Sequence, residues 1–218
     1  TNLYYLETRD GGRTWTTVDG KPISLPLKEV HNPALVHDYQ AEKRLVYLKD
    51  LNFDAQGRPV ILYLTSRHYA SGPGGDPRIW HTAHWTGQKW QIRPVCQSDH
   101  NYDFGSLYIE PDGTWRLIAP TEPGPHPYTT GGDMAMWKST DQGATWTKVK
   151  QLTSDSRYNH TYARRPVNAH PDFYALWADG DTLQESESRL YFTDRDGVHV
   201  WRLPVRMDSE QAAPEVAW

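Results

Sequence analysis

The side chains with most chemical potential in this 218-residue chain lie in short irregular stretches rich in His, Tyr, Arg and Asn. These stretches are His31-Asn32, Arg67-His68-Tyr69 with Arg78, and Asp99-His100-Asn101-Tyr102-Asp103. Two more follow, Glu122-Pro123-Gly124-Pro125-His126-Pro127-Tyr128 and Arg157 to Arg165, the latter holding His160, Tyr162 and Arg164. A guanidinium fork matches a carboxylate bidentately. A neutral His or a Tyr can take the proton next to that carboxylate, and a second one can protonate a departing oxygen. The mixture suits β-elimination on a sugar acid. Carboxylates at Asp99, Asp103, Glu122, Asp133, Asp181 and Glu185 keep hydrolysis by a flanking pair open. Ten Trp and thirteen Tyr against four Phe favour aromatics with a polar handle, which stack on sugars and also fill β-cores.

A metal is a separate option. If Trp85 pairs with Trp90 across a turn, Ile79 opposes Cys96, and His81 lies diagonal to Cys96 on one face. With Asp99 or His100 just beyond, that pair suits a structural Zn²⁺. The spacing matches no established zinc motif, and the alternative is Cys96 as a small buried hydrophobe. No cofactor is required by the chemistry above, and a structural Zn²⁺ or Ca²⁺ is the only metal role considered. Cys96 is the sole cysteine, so no intrachain disulfide forms and the compartment stays open.

Positioning these groups falls to β-strands. No window carries a long 3.6-residue apolar period, while short alternating runs broken by Gly, Pro, Asp and Asn recur throughout. The runs group into four-stranded units over about 44–96, 105–152 and 160–204, preceded by a partial unit over about 1–20. In a meander, the first and third turns of each unit lie at one end. The second loops and the unit-to-unit connections lie at the other, and the His, Tyr and Arg stretches fall there. Ser71-Gly72-Pro73-Gly74-Gly75-Asp76 and Thr129-Thr130-Gly131-Gly132-Asp133 occupy matching positions, suited to close ligand approach or to plain turns. His160, Tyr162 and Arg164 share a face by strand parity, which prefers Arg164 over Arg165.

One motif is written twice. Thr8-Arg9-Asp10-Gly11-Gly12-Arg13-Thr14-Trp15 and Ser139-Thr140-Asp141-Gln142-Gly143-Ala144-Thr145-Trp146 both read [ST]-x-D-x-G-x-T-W, and Asp194-Arg195-Asp196-Gly197 is a degenerate copy. Asp caps nearby N–H groups and Gly takes φ > 0, so each is a tight hairpin. Here the chain resembles the Asp-box (BNR) repeat proteins, which implies an all-β propeller of four-stranded blades. About three and a half blades are present, fewer than the roughly four to eight that close a propeller. A partial propeller, or the C-terminal portion of one within a longer sequence, is expected.

From about Leu45 to Pro204 the chain is similar to the BNR-4 type domains of ulvan-lyase-like polysaccharide lyases. The similarity is carried by Asp99 to Asp103, Glu122 to Pro125, Gly131-Gly132, Asn159 to Pro166, Trp177-Ala178-Asp179-Gly180 and Ser188-Arg189-Leu190-Tyr191. It implies His and Tyr as acid and base and Arg on a uronate carboxylate, with His100, His126, Tyr162 and Arg164 in the catalytic set. His31, Asn32, Arg67, His68, Tyr69, Arg78, Tyr102, Glu122, Tyr128 and His160 would bind substrate. The implied partner is an acidic polysaccharide or oligosaccharide, and the implied location is secreted or periplasmic in a bacterium, although no signal peptide is visible. Sialidases are a weaker match, lacking here their Arg-Ile-Pro motif. A sialidase-like hydrolase and a non-catalytic glycan-binding propeller remain the rivals. The net charge of −4 and the lack of any Lys/Arg run argue against nucleic acid. No apolar stretch approaches the roughly 20 residues of a membrane span.

Overall fold

The computed structural model describes residues 1–218 as an all-β chain. A two-stranded sheet pairs β1 (Leu3–Tyr4) with β2 (Leu35–His37). Two four-stranded antiparallel meanders follow. The first holds β3 (Leu45–Phe53), β4 (Pro59–Ser66), β5 (Arg78–Trp85) and β6 (Trp90–Ser98). The second holds β7 (Ser106–Ile109), β8 (Trp115–Glu122), β9 (Asp133–Ser139) and β10 (Thr147–Gln151). A five-stranded meander closes the chain with β11 (Asn159–Arg164), β12 (Ala175–Gly180), β13 (Leu190–Thr193), β14 (Val200–Arg202) and β15 (Glu215–Val216). β15 was not expected, because two residues carry no alternation.

The sheets stack face to face in chain order. β4 is buried on both faces, and period two divides its side chains between two cores. Val60, Leu62 and Leu64 pack with Leu107, Trp115 and Leu117 of the second meander. Ile61 and Tyr63 pack with Leu3, Tyr5 and Tyr39 on the other side. β8 repeats the device, sending Ile118 to join Met134, Trp177 and Tyr191 against the third meander. Full burial of each such Leu or Ile stabilises by roughly 1.5–3 kcal/mol.

The doubled motif forms the same hairpin twice. Asp10 accepts the N–H and the O–H of Thr14, and the Thr8 hydroxyl accepts the N–H of Gly12. Asp141 does the same with Thr145, and Ser139 with Gly143. Asp194 accepts the N–H of Val198 four residues on, so the degenerate copy keeps the central bond. The opening unit is slighter than a full strand pair, its hairpin reduced to one bridge between Glu7 and Thr16.

Two registers differ from the parity expectation. A bulge between Ile79 and His81 sets Ile79 opposite Gln97 rather than Cys96. A second bulge lies between Thr161 and Arg164, inside β11. Tyr162 there has φ 60°, a left-handed conformation uncommon for a bulky side chain.

Candidate functional site

The loops 67–77, 99–105, 123–132 and 181–189 gather at one end of the stacked sheets and bond to one another. Asn101 is the junction. Its side-chain NH₂ donates to the carbonyls of His68 and Tyr69 and to the Tyr47 hydroxyl, and its Oδ1 accepts from Arg78 Nε. Asp103, fully buried, accepts the backbone N–H groups of His100 and Gly131. Asp99 accepts the N–H of Tyr128. Asn159 accepts the N–H of His126 and donates to its carbonyl.

His100 is buried within this frame. Its Nδ1 accepts the N–H of Tyr102 at 3.2 Å and lies 3.3 Å from the Thr130 hydroxyl. The neutral ring therefore carries its proton on Nε2, which lies 3.3 Å from the exposed Ser71 hydroxyl. Burial, reinforced by the charges of Arg78 and Lys49, holds its pKa down at about 4. The imidazole is thus neutral at physiological pH and is an N–H donor on its Ser71 side.

Tyr162 and Arg164 stand together at the inner strand of the third meander. Tyr162 is 45% exposed and stacks on Phe104 at 4.8 Å between ring centroids. The Arg164 guanidinium lies 5.3 Å from the Tyr162 ring and 5.5 Å from Phe104, with no carboxylate in ion-pair reach. Lys49 approaches Phe104 from β3, its ammonium 4.2 Å from the ring and 2.5 Å from the Asn101 carbonyl. Burial drives Lys49 down and Asp103 up.

Other expected residues are distributed unevenly. Arg67, His68 and Tyr69 are exposed on the loop that Asn101 holds, and Tyr102 is exposed edge-on to Tyr47. Tyr128 (φ 59°) lies half-buried on the neighbouring loop. His126 is half-buried, 3.2 Å from the Thr182 hydroxyl and 3.7 Å from Asp181. His31 and Asn32 bond within their own segment, to Asp38 and to the Glu29 carbonyl, with no hydrogen bond, ion pair or ring contact to the His100 loops.

Four expectations need correction. Arg78 is 0% exposed and spends its guanidinium on Asp76, Asn101 and the carbonyls of Ala70 and Gly72, so it braces the loop and reaches no ligand. His160 is 1% exposed, with Nδ1 accepting from the Trp177 indole, and the bulge after Thr161 turns Tyr162 away from it. Glu122 points along its sheet to Lys148 at 3.1 Å. His81 stacks on Tyr63, whereas Cys96 packs into the core on the other face of the sheet. The two do not meet, burial pushes the Cys96 thiol up, and no group of three His, Cys, Asp or Glu side chains is arranged to hold a metal.

Two of the loop glycines pack against the chain itself rather than leaving room for a ligand, whereas Gly72 and Gly74 have open space beside them. A Cβ on Gly131 would meet the His160 carbonyl at 2.4 Å, and one on Gly132 the Glu122 carbonyl at 2.2 Å. They serve close approach of the chain to itself.

Lys49, Asn101, Phe104 and Asn159 were not anticipated as site residues. Lys49 left a signal, the Lys49-Asp50 charge pair inside the largely apolar run Leu45–Phe53. Asn101 and Asn159 lay in the singled-out stretches, but their roles come from partners distant in sequence, and Phe104 left no signal. A larger cavity, about 640 Å³, lies at the opposite end beside Glu110, Arg165 and Arg195, away from these loops.

The repeats, the stacked meanders and the loop-bearing end meet in one comparison. Residues 1–98 match the family model of a BNR repeat-containing family member. That bears out the resemblance read from the Asp boxes. The BNR match ends at Ser98, so His100, His126, Tyr162 and Arg164 lie beyond it. No curated protein matches the chain. Two solved structures resemble it at TM-score 0.69 and 18% identity, covering 89% of this chain. Both are of an ulvan lyase described as a new family of polysaccharide lyase, one of them bound to a saccharide of glucuronic acid and sulfated rhamnose. This chain spans 43% of the length of those chains. No helix is long and apolar enough to cross a membrane.

Proposed function

We infer that this chain is part of a β-propeller polysaccharide lyase that cleaves an acidic, uronate-containing glycan by β-elimination. The observation that carries the reading is the exposed pair of Tyr162 and Arg164, set beside a loop that holds a neutral histidine. Arg164 neutralises the uronate carboxylate, and the Nε2–H of His100 donates to the oxygen on which charge develops. Tyr162, as phenolate, takes the proton from the carbon next to the carboxylate. That C–H electron pair forms the new C=C bond, the bond to the glycosidic oxygen breaks, and the phenol returns its proton to that oxygen. His126 flanks the site from the adjacent loop. The left-handed backbone at Tyr162 and at Tyr128 agrees with strain held at a working site.

Hydrolysis fits less well, because it needs two available carboxylates. Glu122 is paired with Lys148, Asp103 is buried, and Asp133 is spent on Thr153 and Ser156. A polymer substrate also places the protein outside the cytoplasm, in the periplasm or beyond the cell. Incubation with a uronate polymer is expected to give the ultraviolet absorbance of a conjugated double bond. New reducing ends without that absorbance would mean hydrolysis, and binding without either would mean a glycan-binding propeller.

A further inference from the structure

A second cleft opens at the loop-bearing end of the third meander, on the opposite side of β11 from Tyr162. It measures about 500 Å³ and is lined by Arg157, Arg189 and Arg202, with His160, Asp179, Tyr191 and Trp218 among its walls. Three guanidinium groups converge there in a chain whose net charge is −4, so the cluster is local and not a general basic character.

Their partners are few. Arg157 packs against the Tyr158 ring at 4.9 Å and has no carboxylate in reach, and the Arg189 guanidinium has neither hydrogen-bond nor ion-pair partner. Arg202 pairs with Glu215. Asp179 is the one carboxylate in the wall, and its oxygens accept the Arg189 N–H and the Tyr191 O–H. Burial holds His160 neutral, its pKa down at about 4, so it adds no charge. Arg202 being compensated by Glu215, two unpaired guanidinium groups face one satisfied carboxylate. Beside them the partly exposed Trp218 offers apolar ring surface, backed by the buried Tyr191 ring 5.6 Å away, and the Trp218 indole is fixed by its bond to the Ser154 carbonyl at 2.9 Å.

We propose that this cleft is a secondary subsite for an anionic sugar, in which Arg157 and Arg189 hold a carboxylate or sulfate group and Trp218 faces the ring. The identification of the ligand as a sugar rests on the acidic-glycan reading above. The anion site itself stands on the arginines alone, because guanidinium forks bind both groups through paired N–H donors.

The test is titration of the ¹⁵N-labelled chain with sodium sulfate and, separately, with sodium glucuronate, at constant ionic strength. The readout is the Trp218 indole N–H resonance, assigned with Trp218→Phe. A saturable shift is expected for at least one anion, weakened about tenfold or more in Arg189→Gln and in Arg157→Gln. Arg189→Lys is expected to recover part of the affinity, and near-ultraviolet circular dichroism checks that each variant keeps its fold. Response to glucuronate alone makes carboxylate the ligand group, and response to sulfate alone makes it sulfate. No saturable shift with either anion, or equal affinity in both glutamine variants, overturns the proposal. Absence of elimination activity would leave this binding result standing, so the two readings fail separately.

Discussion

The ring of Tyr162 lies face to face on Phe104, with centroids 4.8 Å and planes 14° apart. This contact joins the bulged inner strand of the third meander to the connection that carries His100. The same connection is tied to that strand by the N–H of Ala163, which donates to the Phe104 carbonyl at 3.2 Å. Tyr162→Phe keeps the stack and removes only the hydroxyl. It is expected to lower β-elimination on a uronate polymer by about a hundredfold or more while leaving the urea midpoint unchanged. Arg164→Ala is expected to act as strongly, and Arg164→Lys to restore little, since an ammonium lacks the planar fork. Wild-type turnover by either Tyr162→Phe or Arg164→Ala would remove the proposed roles.

Asn101 is the polar centre of the loop frame, and its loss is expected to show in stability first. Asn101→Ala strands the Arg78 Nε and frees the carbonyls of His68 and Tyr69. Buried groups left without partners cost about 1–3 kcal/mol each, so a loss of roughly 3 kcal/mol is expected from denaturant unfolding. A change below about 0.5 kcal/mol would mean that water replaces the amide.

His160 gives the fold a pH-dependent term. An unfolded-chain histidine titrates near 6.5, whereas burial holds His160 at about 4 in the fold, with Asp179 opposing. Between those values the unfolded chain binds a proton that the folded chain refuses. The contribution to stability is therefore complete above about pH 6.5 and falls as pH drops toward about 4. His160→Gln, which still accepts from the Trp177 indole, is expected to make the pH slope of stability shallower by about one proton, roughly 1.4 kcal/mol per pH unit within that window. Urea midpoints of both proteins across the window measure it. Groups that titrate in the opposite sense, such as Asp103, are common to both proteins and cancel in the comparison.

The two Asp-box glycines occupy equal positions in the motif and unequal surroundings. Gly12 and Gly143 both have positive φ, at 90° and 81°. A Cβ on Gly12 would touch only the Trp15 ring, at 4.0 Å, whereas one on Gly143 would meet the buried Trp115 ring at 2.7 Å. Gly12→Ala is expected to cost about 1 kcal/mol, the price of a left-handed alanine. Gly143→Ala is expected to cost at least about 1 kcal/mol more through displacement of the indole. Equal midpoint shifts would contradict the packing argument.

The strand runs of the three meanders up to β14, the Asp-box hairpins and the end of the sheets that carries the His, Tyr and Arg loops were legible in the sequence, whereas β2 and β15 were not. Each depends on local rules, such as alternation over Pro59–Ser66, Asp followed by Gly before Thr-Trp, and the order of turns in a meander. Which side chains in those loops reach solvent was decided only by the tertiary structure. Parity put His160, Tyr162 and Arg164 on one face, but the bulge between Thr161 and Arg164 sends His160 to the Trp177 core and Tyr162 outward. Arg78 reads as a binding arginine until its contacts with Asp76 and Asn101 bury it. A bulge adds one residue to the pairing, and a buried arginine needs partners 23 residues away in sequence. Neither is a property of any short stretch of chain, because both follow from how distant strands and loops satisfy one another's hydrogen bonds.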